Sequence, residues 1–437
     1  MKRFISLMAA TVLATSLALT GCGSSSTKEA SSKEDSSKPI KLSITWWGAQ
    51  SRHDYTKKLL DLYTSKNPNV TFEATPSGWD GYFDKLSALA AGDTMPDIIQ
   101  MDNAYISTFS KNNMLADLSE FVNDKTLDLS SVDSNLVDTG KMNGKLTGAA
   151  ISSTALALTY NPDVFAKAGL QAPAPDWKWS DFEKAMMTIK EKTGNYGVGK
   201  LEDFNYFPYW ARQYGQTMYS ADGTKLGYDD DKVFVEFAKM LKRLQDAKAM
   251  PTPDEWSQIS SKGKEAEPVV TGTGGSTFDW TNYANMVAKT NPNLKLALPP
   301  NGESGTKELW IKPGMFFSVA QSSEHKKEAA KFISWLINDE EANKIINAER
   351  GVPASSKIRE ALKPSLTQQQ KDMFDYTDLA IKNSTKADSP EPQGVAEVRK
   401  VMTDCINAVL YQKSTPEDAA KEFRKKANEI LARNASK

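Results

Sequence analysis

Cysteine and histidine are scarce in this chain, at 2 residues of each among 437. Two isolated histidines, His53 and His325, give no metal-ligand spacing, and Cys22 with Cys405 cannot supply a disulfide framework. An excess of charge is missing as well. Lys+Arg number 54 and Asp+Glu 55, for a net charge of -1, so no overall basic field would recruit nucleic acid. The run Arg424-Lys425-Lys426 is short, interleaved with acids, and reads as a solvated helix face. Neither a G-x-S-x-G elbow nor an H-E-x-x-H motif occurs. There is no internal repeat of fixed period, and past the N-terminus no apolar run approaches the length of a bilayer span.

The N-terminus itself is distinctive. Lys2 and Arg3 precede an apolar stretch from Phe4 to Leu19, and Thr20-Gly21 supply small residues before Cys22. That is the layout of a cleaved secretion signal, residues 1–21, rather than of a membrane-spanning helix. Leu19-Thr20-Gly21-Cys22 resembles a bacterial lipobox, which implies a diacylglyceryl group and a palmitate-type acyl chain on Cys22. Each buried methylene contributes about 0.8 kcal/mol and one acyl chain binds only marginally, so several chains on Cys22 would hold the protein on the outer face of the cell membrane. Residues 22–38 are nearly all Ser, Lys, Glu, Asp, Thr, Ala and Gly, a composition with nothing to bury, expected to act as a flexible spacer. The body from about Pro39 onward is long enough for two domains.

Along that body strands and helices alternate. Ile40, Leu42, Ile44 and Trp46 have the period of a half-buried strand, and Leu59, Leu60, Leu62 and Tyr63 mark a helix. Val70 to Ala74 follows as a strand, Trp79 to Ala91 as a helix stopped by Gly92, and Asp97 to Met101 as a buried strand. This order predicts a largely parallel α/β sheet, whose ligand would sit beyond the carboxyl ends of the strands. A second α/β body starts near Leu156 to Tyr160, with helices expected over 179–192 and 233–248. From about Ser323 the chain reads as mostly helical, and Thr415-Pro416-Glu417-Asp418 supplies a cap, a first-turn proline and early acids. Cys405, among Val401, Ile406 and Val409, is expected to be a buried small hydrophobe.

Several segments, taken in order, resemble one family. They are Ile44-Thr45-Trp46-Trp47-Gly48, Pro96-Asp97-Ile98-Ile99, Tyr160 to Phe165, Phe278-Asp279-Trp280-Thr281-Asn282, Glu328 to Leu336, and Glu349-Arg350-Gly351-Val352-Pro353. The family is that of the extracellular sugar-binding proteins of bacterial ABC importers, the broad group of maltose-binding protein. The resemblance covers essentially the whole mature chain. It implies a two-lobed periplasmic-binding-protein-like α/β fold with an interlobe cleft and a helical C-terminus. Residues 39–148 plus 312–354 would form the first lobe and 149–311 plus 355–437 the second. It further implies a monomer that hands an oligosaccharide to ABC transporter permease subunits, with no cofactor. Trp46 to Thr56, Ser323 to Ala330, Pro390-Glu391-Pro392 and Phe423 to Leu431 are similar to a narrower branch associated with pectin fragments, particularly rhamnogalacturonan.

Sugar chemistry indicates which residues to watch. A pyranose packs its C–H face on an aromatic ring and presents hydroxyls that need polar partners. Of the 10 tryptophans, Trp47, Trp79, Trp210, Trp280 and Trp310 fall in loops or at element ends. Trp47 and Trp280 each end a strand beside polar residues and are expected in the cleft, with Trp46 in the core. Asp102 and Asn103 follow a buried strand, where they would either meet sugar hydroxyls or cap a helix. Tyr209 and Trp210 would form an opposite wall or an ordinary packed helix start, and Asn282 lies beside Trp280. Arg52, just past the first strand, would either match a uronate carboxylate with two parallel hydrogen bonds or stand exposed at a helix start. A secreted polysaccharide hydrolase or lyase is the rival class, since two carboxylates suffice for a glycosidase. A binder of a neutral sugar or of another ligand class is a further alternative.

Overall fold

The computed structural model describes residues 38–48, 50–79, 81–201, 203–388 and 391–435. Cys22, the secretion signal and nearly all of the spacer lie outside the described residues. Eleven strands occur among the described residues, in chain order: β1 (Ile40–Thr45), β2 (Val70–Ala74), β3 (Ile98–Met101), β4 (Lys141–Met142), β5 (Lys145–Leu146), β6 (Ala149–Tyr160), β7 (Tyr196–Val198), β8 (Gly274–Trp280), β9 (Lys295–Ala297), β10 (Ile311–Val319) and β11 (Val352–Pro353).

The first part follows the sequence pattern. Leu42 and Ile44 of β1 point into the core. The helix Gln50–Lys66 buries Thr56, Leu59, Leu60 and Tyr63, the three- and four-residue steps of one helical face. β2 and β3 both lie parallel to β1, with Ile40 opposite Val70 and Ile44 opposite Ile98. The next helix begins at Tyr82 rather than Trp79. Gly81, at φ 73°, takes a left-handed conformation that a helix cannot contain.

The centre of the sheet departs from expectation. Its order is β2-β1-β3-β10-β6-β8-β7, and the pairs β3–β10, β10–β6 and β6–β8 are antiparallel. The parallel pairs are confined to the two flanks, β2–β1–β3 and β7–β8. The reason lies in the long strand β6. Its first residues, Ala149 to Ala155, pair with β10, and Leu156 to Tyr160 pair with β8 and β9. One strand thus belongs to both halves of the sheet, and β10 returns along it from the second half toward the first. Thr281 fixes the junction, its hydroxyl donating to Ala155 O and accepting from Ala155 N, both at 2.9 Å.

The C-terminus is helical, over Gln368–Lys382, Val395–Leu410 and Pro416–Ala435. Thr415 Oγ1 accepts from Asp418 N at 3.1 Å, the cap expected there. Cys405 is buried, and burial pushes its thiol up to about 11. The solvated-face reading holds for the exposed Lys425 and Lys426 but not for Arg424. Its Nε donates to Asp231 at 2.6 Å, its Nη1 to Tyr228 O at 2.6 Å, and its guanidinium lies over the Tyr228 ring. No described helix is long and apolar enough to cross a membrane.

Candidate functional site

A cavity of about 730 Å³ opens where the two halves of the sheet meet. Asp102, Asn103 and Ala104, the loop leaving the carboxyl end of β3, line one side. Trp280 at the end of β8 and Trp310 to Pro313 at the start of β10 line another. A third side comes from the segment between the last helices, with Lys386, Asp388 and Glu391.

The two lining tryptophans are half-buried and held by cations. Lys312 Nζ sits 4.9 Å from the Trp280 ring centroid, and the Arg212 guanidinium 5.5 Å from that of Trp310. Both distances suit attraction to the ring quadrupole. Arg212 is buried and also anchors the third wall. Its Nε donates to Glu308 O at 3.1 Å, its Nη2 to Thr385 Oγ1 and Lys386 O, both at 2.7 Å, and its Nη1 pairs with Asp388.

Most lining charges are already partnered. Lys141 pairs with Asp138 at 2.7 Å, and Arg399 with Glu391 at 2.9 Å. The Asp102 carboxylate accepts from Ala104 N at 2.8 Å. Lys312 and Lys386 have no carboxylate partner among the described residues. Tyr219 also lines this cavity, its hydroxyl buried and without a hydrogen-bond partner among the described residues, and burial pushes its phenol up. The site therefore offers two half-buried rings, amide and carboxylate groups for hydroxyls, and two ammoniums without an internal counter-charge. No group of three or more His, Cys, Asp or Glu among the described residues is placed to hold a metal ion.

Of the residues expected from sequence, Asp102, Asn103, Trp280 and Trp310 come together in this cavity. Others do not. Tyr209 and Trp210 turn into the core, their polar atoms donating to Pro300 O and Val233 O, each at 3.0 Å. On their helix, Asp203–Arg212, it is Phe204, Asn205 and Pro208 that face the cavity. Trp47 is 8% exposed and packs edge-on against Trp79 and Tyr82 at 5.2 and 5.3 Å between ring centroids. Trp46 is fully buried, as expected, its Nε1 donating to His53 Nδ1 at 3.1 Å. Trp79 is 46% exposed and lies outside the lining. Asn282 is exposed and starts the short helix Tyr283–Met286.

Arg52 is committed elsewhere. Its Nε and Nη2 donate to the Glu349 carboxylate at 3.1 and 3.0 Å, and its Nη1 to Trp47 O at 3.2 Å. Burial alone would raise the Glu349 carboxyl, but hydrogen bonds from Arg52 and Tyr55 hold it below the usual carboxylate range. The residues that sequence reasoning missed are Lys312, Lys386, Tyr219 and Arg399. Lys312 carried one legible signal, its place two residues after Trp310 at an expected crossing between lobes. Lys386 had none.

A sheet shared by two α/β halves, with a polar and aromatic cavity at their junction, defines a solute-binding protein of the periplasmic type. The chain matches the bacterial extracellular solute-binding protein family over residues 49–343 and belongs to that family. An extracellular solute-binding protein family 1 structure from Alicyclobacillus acidocaldarius superposes with TM-score 0.83 at 29% identity, over 91% of this chain and 100% of the other. A periplasmic oligogalacturonide binding protein from Yersinia enterocolitica superposes with TM-score 0.78 at 27% identity, over 91% and 100%. The diacetylchitobiose binding protein DasA of Streptomyces coelicolor is 23% identical, over 85% of each chain.

Proposed function

We propose that this protein captures an acidic oligosaccharide, a pectin fragment of the galacturonide or rhamnogalacturonan kind, and delivers it to the permease subunits of an ABC importer. The observation that carries this reading is Lys312, an ammonium without a carboxylate partner among the described residues, 4.9 Å from the half-buried Trp280 ring. A uronate stacked there would bring its own carboxylate to the charge, and hydrogen bonds to charged groups contribute about 1.5–3 kcal/mol. The likeness to an oligogalacturonide binding protein supports the same class.

In this reading residues 39–148 plus 312–354 and residues 149–311 plus 355–437 are the two lobes, which close on the ligand. The protein acts as a monomer, a binder rather than an enzyme, and a diacylglyceryl group on Cys22 keeps it on the outer face of the membrane. Titration calorimetry of the mature body with digalacturonate and with a neutral disaccharide tests the ligand class. Binding of the acidic ligand with much weaker binding of the neutral one is expected, and preference for the neutral one overturns it. Cys22→Ala is expected to leave the membrane fraction or to remain uncleaved. A variant that is processed normally and stays membrane-bound removes the lipid anchor from the proposal.

A further inference from the structure

Five large hydrophobic side chains stand out as exposed among the described residues, and two of them are neighbours. Trp79 is 46% exposed and Tyr105 37% exposed, with ring centroids 6.3 Å apart at an interplanar angle of 71°. Neither ring is loose. Tyr105 lies flat on Phe83 at 3.7 Å and 5°, and Trp79 meets Phe83 and the buried Trp47 edge-on at 5.5 and 5.2 Å. The backbone under Trp79 is fixed as well, since Tyr82 N donates to Trp79 O at 3.1 Å and Gly81 makes the left-handed turn between them.

Their polar tips, Trp79 Nε1 and the Tyr105 hydroxyl, have no hydrogen-bond partner among the described residues. Exposed aromatics held in fixed orientation lose little entropy when something stacks on them. Their location says what that is. Tyr105 directly follows Asp102, Asn103 and Ala104, which line the cavity, so the pair begins one residue beyond that lining, past the carboxyl end of β3.

We propose that Trp79 and Tyr105 form an outer stacking platform for a further sugar ring of an oligosaccharide whose end sits in the cavity, so that affinity grows with chain length. This rests on the cavity being an oligosaccharide site. A pyranose face fits an exposed ring, and its hydroxyls would meet the indole N–H and the phenol that now lack partners.

The test is calorimetric titration of the parent, Trp79→Ala, Tyr105→Ala and Trp79→Phe with digalacturonate and tetragalacturonate, with a melting curve for each variant. The parent is expected to bind the tetramer more tightly than the dimer. Trp79→Ala should weaken the tetramer roughly three- to tenfold while leaving the dimer within about twofold. Tyr105→Ala should shift affinity in the same direction, and Trp79→Phe should keep most of it. Equal losses on both ligands in variants that melt like the parent, or an unchanged tetramer, overturn the platform. A parent that binds neither length defeats the cavity reading, and the platform with it. Binding of both lengths by a parent whose variants behave identically defeats the platform alone.

Discussion

Two corners of this molecule contain the same pair of ingredients, a tryptophan at the end of a strand and a nearby cation, and treat them oppositely. Past β1, Trp47 is packed among aromatic rings, and Arg52 is bound to Glu349 and to Trp47 O. At the end of β8, Trp280 is half-buried on a cavity wall, and Lys312 faces it without a counter-charge among the described residues. In the first corner the protein's own rings pack the tryptophan and its own carboxylate takes the guanidinium, so the arrangement contributes to folding. In the second the satisfaction is left incomplete, which is the condition for a ligand to supply it.

That contrast gives graded expectations. The largest concerns Trp47→Ala, since truncating a buried aromatic costs about 3–5 kcal/mol. Denaturant unfolding should show a loss of that order, whereas a loss under about 1 kcal/mol would mean that the Trp47 corner is not core. Trp280→Ala should do the reverse. Its melting curve should move little, while sugar affinity falls several-fold, as loss of an aromatic contact of about 0.5–1.5 kcal/mol requires. Loss of folding in place of affinity would make the two corners alike.

The smallest effect is the pH dependence of the Arg52–Glu349 pair. Glu349 is 38% exposed on its side chain, so water screens the pair and its contribution should stay below about 1 kcal/mol. Because the folded state holds the Glu349 carboxyl below its ordinary value, the contribution is complete above the unfolded carboxylate range near pH ~4.3. It fades as pH falls through the folded value. The stability gap between parent and Glu349→Gln should therefore be measurable at neutral pH and shrink in acid. A gap that widens in acid would reverse the sign and sink this account of the pair.

The two corners also show how far the sequence can be read. Strands β1 to β3 were legible because Leu42, Ile44 and the buried run Ile98 to Met101 carry their burial in local pattern. The antiparallel centre was not, because β10 meets β6 from far along the chain and no local pattern encodes that pairing. Trp46 and Trp47 illustrate the limit for single side chains. Alternation would send one to the core and the other out. The regular strand ends at Thr45, however, and Trp47 pairs only through a bridge to Ser77 while its ring meets Tyr82 and Phe83. Arg52 fits a carboxylate, as its chemistry suggests, but the carboxylate belongs to Glu349, 297 residues later. Lys312 was hidden for the complementary reason, since lacking a partner is visible only when the surroundings are known.

Titration of digalacturonate and a neutral disaccharide into the parent, Lys312→Gln and Arg52→Gln tests the difference between the corners most directly. Lys312→Gln is predicted to lose tenfold or more on the acidic ligand alone, in line with about 1.5–3 kcal/mol for a charged hydrogen bond, with Arg52→Gln within about twofold of the parent. A larger loss in Arg52→Gln than in Lys312→Gln, or equal losses on both ligands, would contradict the assignment of the open charge to Lys312.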